Sequence, residues 1–145
     1  MTSQNVIMGF DYGTRKIGIA VGQLITKTAN PIAIISARDG IPDWSEIEKL
    51  ILEWQPAQLV IGLPLNMDET ESESEMSRRS LKFARRLTGR FNIPHHTIDE
   101  RLTSREARSL HESHSSTQRG PAGRSRDEID DIAAQIILES WLKLQ

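Results

Sequence analysis

"MGFDYGTRKIGIAVG", residues 8–22, decides how the rest of the chain is read. Two mostly apolar runs, "VIMGFDYG" (6–13) and "KIGIAVG" (16–22), flank the turn-forming "YGTRK". That is the pattern of a β-hairpin. One residue does not belong in it. Asp11 puts a carboxylate inside the first strand, where a charge is costly unless a partner or a metal ion compensates it. Gly9 and Gly13 on either side leave room for backbone or substrate to come close.

Outward from the hairpin, "PIAIISA" (31–37) adds a third strand to an antiparallel meander, and then the period changes. In "DWSEIEKLILEW" (43–54), Trp44, Ile47, Leu50, Ile51 and Trp54 share one helical face. Asp43 is the expected N-cap, with Glu46 as its capping-box partner. "QLVIGLP" (58–64) is a continuous apolar strand of the kind covered on both faces. A helix follows across roughly 72–89, with Met76, Ser80, Phe83, Ala84 and Leu87 on one stripe at ~100° per residue. Arg78, Arg79, Lys82, Arg85 and Arg86 cover its other side. "HHTID" (95–99) reads as a strand after Pro94. "TSREARSLH" (103–111) opens a helix with Thr103 and Glu106, "SHSSTQRGPAG" (113–123) has loop composition, and the last helix is capped by Ser125 with Glu128. The expected order is β-β-β-α-β-α-β-α-α. It predicts an α/β fold: a five-stranded mixed sheet, antiparallel meander plus parallel strands, flanked by helices.

At 145 residues the chain suits a single domain spanning 1–145. No run approaches the ~18–20 apolar residues of a membrane span, and "MTSQN" lacks a basic segment followed by an apolar one. A cytoplasmic protein with no membrane partner is expected. The absence of cysteine excludes disulfides and thiolate metal sites. The net charge of −2 hides strong segregation. "DETESESE" (68–75) holds five acids and no base, whereas "RRSLKFARRLTGR" (78–90) holds six bases and no acid. A solvated helix face would explain the bases, but so would a polyanion partner.

Asp11 finds company further along. Glu100 immediately follows the fifth strand, at the end where α/β sites are built. In the last helix, a stripe centred on Ile129, Ile132, Ala133 and Ile136 makes Asp130 the inward acid and Asp131 its exposed neighbour. Carboxylates gathered at a sheet edge raise each other's pKa, and a hard divalent cation relieves that, Mg²⁺ or Mn²⁺ for an all-oxygen donor set. Two such ions ~3.5–4 Å apart suit phosphodiester displacement. The alternative is a structural ion pair of Asp11 with Arg15 or Lys16.

"FDYGTRKIGIAVG", "VIGLPLNMDET", "DERLTSREA" and "IDDIAAQIILESW" together resemble the YqgF family, also called RuvX, over almost the whole chain. These are small bacterial proteins described as pre-16S rRNA nucleases or as Holliday-junction-resolvase-like proteins. The resemblance implies a ribonuclease H-like fold and a catalytic, metal-binding acidic set of Asp11, Glu100 and Asp130. It also implies Mg²⁺ or Mn²⁺ as the metal and processing of the 5′ end of the small-subunit rRNA precursor as the activity. Where the family commonly has "NMDGT", this chain has "NMDET", with Glu69 at the glycine.

Arg15 and Lys16, beside Asp11, are candidates to hold a phosphate of the strand being cut. Arg101 follows Glu100, and Arg119, Arg124 and Arg126 could close over a bound strand. His95 and His96, neighbours on a strand, face opposite ways and make a poor joint metal site with His111 or His114. Aromatic residues are few and read mostly as core, so recognition by backbone charge and shape is expected rather than base stacking. The leading expectation is a metal-dependent hydrolase of ester bonds, a nuclease acting on RNA in ribosome biogenesis, with pre-16S rRNA or a pre-ribosomal particle as partner. The alternatives are a Holliday junction resolvase-like endonuclease on branched DNA, and a protein that binds RNA or a transcription factor without catalysis.

Overall fold

The computed structural model describes residues 5–63, 71–99 and 126–145, with the side chains of 71–74 and 126–131 excepted. Its strands are β1 (Val6–Asp11), β2 (Lys16–Gln23), β3 (Thr28–Arg38), β4 (Ile41–Pro42), β5 (Gln58–Leu63) and β6 (His95–Asp99). Its helices are α1 (Trp44–Trp54), α2 (Glu71–Phe91) and α3 (Arg126–Lys143). The helix expected at 103–111 lies outside the described residues.

All six strands form one sheet in the order β4-β3-β2-β1-β5-β6. The hairpin pairs antiparallel with Asp11 opposite Gly18, and β3 continues the meander. β5 then lies parallel to β1, and β6 parallel to β5. The mixed α/β architecture is as expected, but the sheet has six strands and not five. The extra strand, β4, is two residues long, paired to Ala37 and Arg38 across a tight turn. Two residues leave no period to detect.

Strand alternation sorts side chains onto two faces. Met8, Phe10, Ile17, Ile19, Leu59 and Ile61 face α1 and α2, where they meet Ile47, Ile51, Phe83 and Leu87. Ile7, Ala20, Ala29, Val60 and Ile98 face α3, where they meet Ala134, Ile137, Leu138, Trp141 and Leu142. Most of these side chains are fully buried, each contributing about 1.5–3 kcal/mol over the exposed state.

Each helix departs from expectation in one respect. Asp43 caps α1 as predicted, but its carboxylate accepts from the Ser45 amide (3.1 Å) and hydroxyl (2.6 Å). The hydroxyl is thus the second donor, and Glu46 contributes its amide to the Asp43 carbonyl. Trp54 is exposed, so α1 buries mainly Ile47 and Ile51. On α2, Ser77 joins the buried stripe while Met76 is only half-buried. In α3, Ile136 is buried as expected, but Ile132 and Ala133 are half-buried and the stripe runs through Ala134, Ile137, Leu138, Trp141 and Leu142. At ~100° per residue, positions 130 and 131 flank that stripe at similar angles, so the projection does not distinguish Asp130 from Asp131.

The sheet and α3 meet closely because glycine leaves the space. A Cβ added at Gly9 would stand 2.8 Å from Leu138 Cβ, and one at Gly22 would stand 2.9 Å from Leu142 Cδ1. Gly22 pairs with Ile7, so passing from Leu142 to Leu138 moves up β1 towards Asp11. The earlier turns of α3 therefore lead to the Asp11 end of the sheet. Among the described residues, no helix is long and apolar enough to cross a membrane.

Candidate active site at the carboxyl end of the parallel strands

β1, β5 and β6 run in one direction and end together, at Asp11, Leu63 and Asp99. Asp11 is half-buried, the last residue of a central strand otherwise lined by apolar side chains. Being two positions beyond Gly9 and four beyond Ile7, it has the parity of the α3 face. The room at Gly9 and Gly13 is taken by the protein itself: Leu138 fills the first, and the Lys16 carbonyl stands 2.5 Å from a Cβ at the second. Of the two expected neighbours, backbone or substrate, it is backbone that comes close at Gly13, while a side chain takes the space at Gly9.

The turn after Asp11 is fastened to the β3–β4 corner. The Ala37 amide donates to the Arg15 carbonyl (2.7 Å), and the Gly40 amide to the Thr14 carbonyl (2.9 Å). The Tyr12 hydroxyl donates to the Gly40 carbonyl at 2.9 Å. Burial pushes the phenol above its ordinary pKa, with Arg79 opposing and Asp39 reinforcing that shift, so Tyr12 stays protonated as a donor. Arg15 is exposed in this turn, and Lys16 opens β2.

Of the other predicted site residues, Glu100 follows the last described residue of β6, and Arg101, Arg119 and Arg124 also lie outside the described residues. The backbone of Asp130 stands in the second turn of α3, and Arg126 is the helix's first residue. Among the described residues, no cluster of three His, Asp or Glu side chains could hold a metal ion. His95 and His96 face opposite sides of the sheet, as expected of strand neighbours. The Thr88 hydroxyl donates to the Ile93 carbonyl (2.8 Å), which leaves it to accept from His95 Nδ1–H (2.6 Å) on the α2 side. His96 stacks on Trp141 of α3 with centroids 5.2 Å apart, and its Nε2 lies 2.6 Å from Gln58 Oε1.

On the opposite face, one residue past Asp11, lies a feature the sequence does not disclose. Tyr12, Trp44 and Phe83 meet, with Phe83 centroids 4.8 Å from Tyr12 and 5.8 Å from Trp44. They floor a groove of about 230 Å³ walled by Arg79, Lys82 and Arg86. The α2 cations are not uniformly solvated, because Arg79 pairs with Asp39 (3.2 Å) and with Glu75 one turn back (3.7 Å).

The sheet order is that of a ribonuclease H-like fold, and solved structures share that fold. Thermus thermophilus RuvC, solved in complex with a Holliday junction substrate, matches with a TM-score of 0.60, covering 97% of this chain and 96% of its own at 13% identity. The yeast mitochondrial Holliday junction resolvase Ydc2 matches at 0.56, covering 99% and 80% at 10% identity. Within that class the chain belongs to the RuvX family, whose model, described as "Holliday junction resolvase", matches residues 5–144. It is 50% identical over 144 residues to a Pseudomonas putida protein named "Putative pre-16S rRNA nuclease", covering 99% of this chain and 98% of that one. An Azotobacter vinelandii protein of the same name is 49% identical over 142 residues, covering 98% and 96%.

Proposed function

We propose that this protein is a nuclease that hydrolyses RNA phosphodiester bonds with Mg²⁺ or Mn²⁺ and processes the 5′ end of pre-16S rRNA, free or in a pre-ribosomal particle. The observation that carries the reading is the half-buried carboxylate of Asp11 at the end of a central β1, where two parallel strands end beside it. Names of relatives about half identical over nearly the whole chain support the substrate.

Asp11, Glu100 and Asp130 are the proposed ligands. β1 and β6 are separated by one strand, about 10 Å. Carboxylates from these two strand ends and from α3 would hold the divalent ions together. Ile98 of β6 is on the α3 face, the face Asp11 has on β1, and Glu100 follows β6 directly in sequence. Eight residues of α3 before Leu138, about 12 Å of helix, reach position 130 past the level of Asp11. The donors are all oxygen and the chain has no sulfur ligand from cysteine, which suits a hard cation. When bound, the ions supply charge stabilisation at the phosphodiester oxygens and a more acidic water. Arg15 and Lys16 hold the phosphate from the turn, and Arg101, Arg119, Arg124 and Arg126 are the further proposed contacts to the substrate. The protein acts as a hydrolase in the cytoplasm, as one domain.

The test is Asp11→Asn. Cleavage of a precursor carrying the unprocessed 5′ end should fall at least about 100-fold, several kcal/mol of transition-state stabilisation, at unchanged circular dichroism. Undiminished cutting removes the mechanism. A second reading, branched DNA, is favoured by the resolvase architecture. It requires two symmetric sites and hence a dimer on a four-way junction, so sedimentation showing monomers with and without junction excludes it.

A further inference from the structure

The groove on the α1/α2 face is adjacent to the proposed active site but separate from it. Tyr12 immediately follows Asp11, and strand alternation sends the two to opposite faces of the same sheet edge. The turn that carries Arg15 is bonded to the corner that carries Gly40, a lining residue of the groove. A strand lying across Asp11 and the turn thus has a continuous route over the edge.

Charge and shape restrict what fits there. Arg79 is engaged by Asp39 and Glu75 and orders the wall. Lys82 and Arg86 are exposed and, among the described residues, have no ion-pair partner. Beneath these cations lies an aromatic floor that includes the chain's one tyrosine and one of its three tryptophans. Arg90 stands over the Trp44 ring at 4.2 Å and adds positive charge beside it. Cations above flat apolar rings suit a ligand that is at once anionic and planar. An acidic peptide would satisfy the cations and leave the floor unused. At about 230 Å³ the space is below the ~300–1,000 Å³ of pockets that enclose drug-sized ligands, and it cannot admit a duplex.

We propose that this groove binds one unpaired nucleotide of the substrate strand next to the cut, its phosphate on Lys82 and Arg86 and its sugar and base against the half-buried Tyr12 and Trp44, which Phe83 backs from the core. The proposal rests on the nuclease reading and deepens it: the substrate class becomes RNA with a single-stranded segment beside the scissile bond. Recognition by backbone charge and shape was the expectation from the sequence, because its few aromatic residues read mostly as core.

Binding of a labelled unpaired oligoribonucleotide, followed by fluorescence anisotropy in EDTA, tests it without any cleavage. The double variant Lys82→Gln/Arg86→Gln changes exposed side chains only. It should bind at least about 10-fold more weakly, with the log–log salt slope shallower by roughly 1.4, the value for two phosphate contacts on a single strand. Arg78→Gln, an exposed cation of the same helix outside the groove, should change affinity less than about 2-fold. The assay reads binding alone, so the loss in the double variant stands whether or not Asp11→Asn abolishes cleavage, which separates failure of the groove from failure of the nuclease reading. Unchanged affinity in the double variant overturns the proposal. So does an equal loss in Arg78→Gln, or polyglutamate binding that matches the oligoribonucleotide and falls equally in the double variant.

Discussion

At Gly40 the backbone takes a φ of +82°, a left-handed conformation that costs other residues about 1–2 kcal/mol. A Cβ there would also collide with the Tyr12 hydroxyl, which donates to the Gly40 carbonyl. Gly40→Ala should therefore destabilise the protein by about 2 kcal/mol or more, read as a lower midpoint in urea at an unchanged m-value. This pairing was not legible in the sequence, since 28 positions separate the partners. Asp11 was, because a carboxylate in an apolar strand violates a local rule. Asp43 was too, since its cap acts within the next two residues.

Between α2 and β6, the Thr88 hydroxyl joins the Ile93 carbonyl to the His95 ring. Burial, aided by the nearby His96 and Arg85, holds the His95 pKa below its ordinary value. The unfolded chain therefore binds the proton more readily. The contribution to stability is complete above about pH 6.5 and is lost as pH falls from there towards the folded value. His95→Gln should flatten the decline in thermal midpoint between about pH 7 and pH 5. α1 was readable from its period, β5 from its continuous apolar run and β6 from its place after Pro94. α3 was readable as a helix but not in its rotation, because "IAAQIILESWL" carries apolar residues nearly all round and no polar face marks the outside. β4 was beyond reach because a corner defines it, not a pattern.

At the scale of the whole molecule, parallel strands that end together put the proposed ligands on elements far apart in sequence. An ion that bridges them binds the folded chain alone. At a hundred times its Kd, Mn²⁺ should add about 2.7 kcal/mol, a rise of several degrees in thermal midpoint, and EDTA should reverse it. The same titration of Asp11→Asn should show less than half that gain. The mixed character of the sheet was legible because the meander and the later parallel strands each have a sequence signature. The groove was not, being assembled from β1, the β3–β4 corner, α1 and α2.

The bare flank of Gly9 has a consequence for that geometry. Leu138 rests on it directly, so the standoff of α3 from β1 is gauged by a missing methyl group. Position 130 rides on the same rigid rod, two turns upstream. A bulkier residue at position 9 would jack the rod outward and take one claw of the proposed metal clamp with it. The calibration of the clamp is thus set by a residue that touches neither ion nor RNA.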